Sequence, residues 1–156
     1  MLSDFDTAAL DLPPTGCLIG LDLGDKTIGL ASCDPDRRLA TPVTTIRRTK
    51  FTPDAEALIE VCNTRSAVGL VIGLPLNMDG TEGPRAQSTR AFARNLTRLT
   101  SLPMVFWDER MSTAAMEREL IGLDTSRAKR ARVIDESAAA YILQGAIDRL
   151  GFLKKD

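Results

Sequence analysis

The stretch Gly20-Leu21-Asp22-Leu23-Gly24-Asp25-Lys26-Thr27-Ile28-Gly29, read as GLDLGDKTIG, closes one apolar run and opens another across a three-residue connector. Leu18, Ile19 and Leu21 lead into it and Thr27 to Cys33 lead out, which predicts two antiparallel strands joined by a tight turn at Gly24-Asp25-Lys26. A third run, about Leu39 to Ile46, follows Asp34-Pro35-Asp36 and completes a meander. The anomaly is Asp22, a carboxylate at the end of a strand that otherwise reads as buried.

Outward from this meander the pattern changes period. Thr52-Pro53-Asp54 is a helix start, with a cap, a proline at the first helical position and an acid in the first turn; Ala55, Leu58, Ile59 and Cys62 give the apolar stripe, which ends near Arg65. Val68 to Ile72 is a continuous apolar run, as expected of a strand covered on both faces. The loop from Leu74 to Gly83 follows, and Pro84 opens a helix through Phe92 and Leu96 to about Leu99. Met104 to Trp107 reads as a fifth strand ending in Asp108-Glu109-Arg110. Ser112 is placed to cap a third helix carrying Ala115, Met116, Glu119 and Leu120. A basic connector from Gly122 leads to a last helix from about Val133 to Leu150. The order βββαβαβαα predicts an α/β fold: a five-stranded mixed sheet, strands one, four and five parallel, with helices on both faces. Residues 1–16, with Asp4, Asp6, Asp11 and Pro13-Pro14, read as a mobile extension before a domain at 17–152.

Composition narrows the chemistry. A chain of 156 residues suits one domain. No apolar run reaches the roughly 18 residues a membrane span needs, and the start is acidic where a secretory leader is basic, so a cytoplasmic protein with no membrane partner is expected. Cys17, Cys33 and Cys62 are odd in number and lie in apolar segments, as reduced buried thiols do. The net charge of −1 argues against a protein that coats nucleic acid by bulk electrostatics. Local basic surface remains in Arg47-Arg48-Thr49-Lys50, in Arg85, Arg90 and Arg94, and in the connector Arg127 to Arg132. Each of these, taken singly, reads first as a solvated face. The absence of histidine excludes histidine-based triads, a histidine general base and His-containing zinc sites.

The carboxylates then carry the reading. In open sheets, ligands bind beyond the carboxyl ends of the parallel strands. Asp22 ends strand one, Asp108 and Glu109 end strand five, and Asp135 precedes Ala138, Ala139, Ile142 and Ala146 on one face of the last helix. Structural roles compete for each: Asp22 as a turn former, Glu109 as an arginine partner, Asp135 as a helix cap. Three acids on one rim favour a shared site. Crowded carboxylates stay ionised only beside a compensating cation, and oxygen donors without His or Cys select Mg²⁺ or Mn²⁺. Such ions can activate water against a phosphodiester.

Four blocks in this order, GLDLGDKTIGLA at 20–31, VIGLPLNMDGTEGPRA at 71–86, WDERMSTAAME at 107–117 and DESAAAYILQGAID at 135–148, resemble the YqgF or RuvX family, described both as Holliday junction resolvases and as pre-16S rRNA nucleases. The resemblance covers about residues 17–150. It implies an RNase H-like fold and a metal-dependent nuclease whose three acids, catalytic and metal-binding, are Asp22, Glu109 and Asp135. It implies nucleic acid as partner, precursor 16S rRNA at its 5′ end or structured DNA such as a four-way junction, with ribosomal particles as a setting and a monomer or homodimer as the assembly. Lys26, Asn77 in the Leu74–Gly83 loop, Arg110, Arg127, Lys129, Arg130 and Arg132 are the candidate contacts to the nucleic-acid backbone. Thr27 departs from the family, where arginine is frequent, and the segment before Cys17 is longer than usual. Two rival readings stay open: a kinase-like or actin-like ATPase, for which the chain has room for one of two required domains, and a non-catalytic nucleic-acid or ribosome-binding module.

Overall fold

The computed structural model describes residues 4–111 and 137–154. The chain runs α1 (Asp4–Ala9), β1 (Leu18–Leu23), β2 (Thr27–Cys33), β3 (Ala40–Arg47), α2 (Phe51–Thr64), β4 (Gly69–Leu74), α3 (Pro84–Leu96), β5 (Met104–Asp108) and α4 (Ala138–Lys154). The helix expected from Ser112, the basic connector, Asp135 and the expected start of the last helix at Val133 lie outside the described residues.

The strands form one sheet in the order β3-β2-β1-β4-β5. β1 pairs antiparallel with β2, and β2 with β3; β1 pairs parallel with β4, and β4 with β5. The meander and the three parallel strands are thus as the periodicity predicts. β4 is buried along its whole length, the consequence of a central place with helices above and below. On one face α2 and α3 lay Leu58, Phe92 and Leu96 against Ile19, Leu21, Leu70 and Ile72. On the other, α4 packs Leu143 and Ile147 over Leu18, Val71 and Val105. α4 approaches closely because β1 carries Gly20 beneath it: a Cβ there would lie 2.7 Å from Leu143 Cβ and 3.0 Å from the Ala139 carbonyl oxygen.

Two local expectations are corrected. The segment before Cys17, expected to be mobile, carries α1 and packs into the core on the α4 face. Phe5 stands edge-on to Trp107 with ring centroids 4.9 Å apart, and Asp6, 3% exposed, receives two hydrogen bonds from Arg149, Nε at 2.9 Å and Nη2 at 2.6 Å. Lys154 Nζ donates to the Pro14 carbonyl, and Arg37 donates to those of Pro13 and Gly16. The second concerns α2, which begins at Phe51, ahead of Thr52, with Lys50 at the cap position and no side-chain cap. Buried Asp54 reaches back instead to accept from the Thr49 amide and hydroxyl, satisfying donors just outside the helix. No helix among the described residues is long and apolar enough to cross a membrane.

Candidate active site

The carboxyl ends of β1, β4 and β5 open on the same side of the sheet, and the acids collect there. Asp22 pairs in register with Gly29 of β2, one residue beyond the Leu21–Ile72 pair of β1 and β4. The alternation that sends Leu21 and Leu23 into the α2–α3 core turns Asp22 toward α4. Gly29 leaves room there: its absent Cβ would sit 3.6 Å from Ala139 Cβ and 3.7 Å from Asp22 Cβ. Asp108 ends β5 opposite Leu74, and Glu109 follows it, its side chain folded back over Gly73 of β4.

Asp22 and Glu109 are half-buried and feel one another electrically. Burial pushes the Asp22 carboxyl up, and the Arg85 guanidinium draws it partly back. Glu109 is raised by burial first and by the Asp22 charge second; Arg85 opposes this and Asp108 adds to it. These are the marks of carboxylates gathered where solvent does not fully stabilise their charge. Such a pair fits a divalent cation: oxygen donors only, partly desolvated, mutually repelling and incompletely compensated. Among the described residues no third Asp, Glu, His or Cys joins them in a metal-sized cluster.

The first turn of α4 borders the site. Ser137 Oγ accepts the Ala140 amide at 3.0 Å, so Ser137 fills the capping role for which Asp135 is otherwise suited. A groove of about 290 Å³ runs from Asp22 along Thr27, Gly29 and residues 42–45 of β3 to Ala138 and Ala139.

The basic candidates divide. Lys26 is exposed on the β1–β2 turn, where its carbonyl accepts the Arg48 amide. Asn77 faces inward on its own loop, donating Nδ2 to Thr81 Oγ1 at 3.0 Å while its amide donates to the Thr81 carbonyl. Arg110 is bound to Asp108 through Nε at 3.1 Å and Nη2 at 2.7 Å, and Nη1 donates to the Met78 carbonyl at 3.0 Å. Its fork therefore holds the Leu74–Gly83 loop to the end of β5. Arg127, Lys129, Arg130 and Arg132 lie outside the described residues. Among the described residues, the cation whose charge reaches both acids is Arg85 in the first turn of α3. Sequence reasoning reads it only as one of three evenly spaced arginines; its place directly after Pro84, the residue that brings α3 to the rim, was the available signal.

The sequence model of the RuvX family, described as Holliday junction resolvase, matches residues 16–149. A protein of Rhodopseudomonas palustris (strain BisA53), named as a candidate pre-16S rRNA nuclease, is 68% identical over 148 residues, 95% of this chain and 91% of its own. One of Paracoccus denitrificans (strain Pd 1222), named in the same way, is 66% identical, covering 95% of this chain and 94% of its own. In structure the chain is similar to Thermus thermophilus RuvC solved with a Holliday junction substrate, at a TM-score of 0.56 and 10% identity, over 87% of this chain and 96% of that one. At that identity the likeness is one of fold, RNase H-like.

Proposed function

The chain belongs to the RuvX family, and on that premise we propose that it is a metal-dependent nuclease acting in 5′-end maturation of precursor 16S rRNA. The observation that carries this reading is the meeting of Asp22 and Glu109 at the carboxyl ends of β1 and β5, both carboxyls raised by burial and Glu109 also by its neighbour's charge. Asp22 and Glu109 would hold Mg²⁺ or Mn²⁺, with Asp135 as the third ligand. When bound, the ion supplies an activated water and offsets the charge that develops on the phosphodiester. The protein does the rest. The two carboxylates fix where the scissile phosphate can sit, and their crowding makes the empty site costly and the loaded one favourable. Arg85 brings positive charge to the same rim, where a polyanion must approach two acids. Lys26, Asn77 and the basic connector at Arg127, Lys129, Arg130 and Arg132 would carry more distant backbone contacts, whereas Arg110 serves by holding the loop. One copy of the chain provides these groups, so the reading needs no dimer.

A four-way DNA junction is the second substrate, favoured by the family's description. One experiment separates the readings. The purified protein is given RNA carrying the 16S 5′ precursor segment and, separately, a DNA junction, each with Mg²⁺, Mn²⁺ or chelator, beside Asp22→Asn. Metal-dependent trimming of the RNA that Asp22→Asn abolishes is expected. Cleavage of the junction alone would move the function to DNA, and binding without cleavage in either metal would leave a binding module.

A further inference from the structure

Among Arg48, Arg85, Arg90 and Arg110, Arg90 is paired with Glu82 and Arg110 with Asp108. Arg48 and Arg85 enter no ion pair among the described residues, and both line one small recess between the β1–β2 turn and α3. Its floor is Leu23, Thr89 and Phe92; Gly24, Asp25 and Ser88 complete the wall. Arg48 is already oriented for it. Nη1 donates to the Gly24 carbonyl at 2.6 Å and the guanidinium stands 5.8 Å over the Phe92 ring, so one N–H of five anchors the group and the others remain for a ligand.

We propose that this recess is a phosphate subsite, which holds a phosphodiester of the substrate strand beside the one that is cut. Three features point to that chemistry. Its volume, about 40 Å³, has room for the two unesterified oxygens of a phosphate. Its donors are two guanidiniums and the Ser88 hydroxyl, the geometry that planar forks match on an oxyanion. The recess adjoins the acids along the chain itself: Leu23, Gly24 and Asp25, which line it, directly follow Asp22. Asp25 also lines the recess, and because it is exposed, solvent and salt weaken its opposition to an anion. A strand crossing the top of the sheet would set one phosphate at the carboxylates and another here, which fixes its register.

This inference rests on the nuclease reading for the identity of the strand, and its test is made in binding so that the two can fail separately. Fluorescence anisotropy is measured in chelator on a single-stranded RNA, and on a set in which successive phosphates are replaced by neutral methylphosphonates. For the wild type, one position in the set should weaken binding about tenfold. In Arg85→Gln, and in Arg48→Gln with Arg85→Gln, that position should no longer stand out, and the log–log salt slope should flatten by about 0.7. Arg85 is exposed, so the single variant reports even if the Arg48 change disturbs the turn. Equal affinity, slope and methylphosphonate profile in wild type and Arg85→Gln would overturn the subsite. A wild type that shows the profile but cleaves nothing in Mn²⁺ would keep the subsite and remove the nuclease.

Discussion

Glu109 occupies the space that a side chain at residue 73 would need. A Cβ on Gly73 would lie 2.7 Å from Glu109 Oε1 and 2.5 Å from Ile142 Cδ1. Gly73→Ala is therefore expected to displace the Glu109 carboxylate and the tip of the Ile142 side chain together. The overpacking should cost about 1–3 kcal/mol in urea denaturation, and cleavage should fall at least tenfold. A variant with wild-type cleavage would mean that the position of Glu109 is not critical.

Asp22→Asn removes charge and keeps volume. The folded protein holds the Asp22 proton more tightly than the unfolded chain, whose ordinary value is 3.8, because burial raises the group. Its ionisation thus costs stability as pH rises through the folded value, and the cost persists at neutral pH. In chelator at pH 7 the variant should melt at the same temperature as wild type or higher, the difference vanishing in acid, while cleavage is lost. A melting temperature well below that of the wild type in chelator would show the carboxylate to be a structural partner.

Asp135 is the proposed third ligand. Asn caps a helix nearly as well as Asp, and Ser137 already caps α4, so Asp135→Asn should leave the metal-free melting temperature unchanged or raised. The stabilisation by Mn²⁺ should shrink and cleavage should vanish. Normal activity with a full Mn²⁺ response would leave Asp22 and Glu109 to hold the ion without it.

Phe5→Ala tests the N-terminal segment. Phe5 is 7% exposed against Trp107, and its truncation should cost about 3 kcal/mol by equilibrium denaturation. A loss under about 0.5 kcal/mol, the size of an ordinary surface change, would return residues 4–12 to the mobile extension that their sequence suggests.

The sheet was legible because each strand announces itself locally. The meander has short polar connectors and β4 is continuously apolar, so order and direction follow from chain rules. Asp22 was legible as an anomaly, a charge where burial was expected. α1 was not, since six residues make fewer than two turns and show no period; Phe5 and Asp6 find their partners more than a hundred residues away. The division among the arginines was hidden for a similar reason. Arg85 and Arg90 are evenly spaced on one helix, yet Arg90 is spent on Glu82 and the Phe106 ring while Arg85 turns to the acids. Arg110 resembles a free basic residue in sequence, and only the Asp108 geometry shows its charge already matched.

The clasp between Asp6 and Arg149 spans 143 residues of chain, and Phe5 waits for Trp107. During synthesis α1 emerges first and is among the last elements to find its place. Among the described residues, β5 shares its core cluster on the α4 face with α1 and α4, which come from the two ends of the chain. Long-range closure of this kind is slow compared with the formation of local hairpins. The meander is local, whereas Glu109 reaches Asp22 only once β5 has joined the sheet through β4, so a chain that ends before Glu109 carries Asp22 without this neighbour. If the proposed metal site depends on this closure, chains stalled before residue 149, which lack the Arg149 half of the clasp, should bind Mn²⁺ more weakly than the full chain.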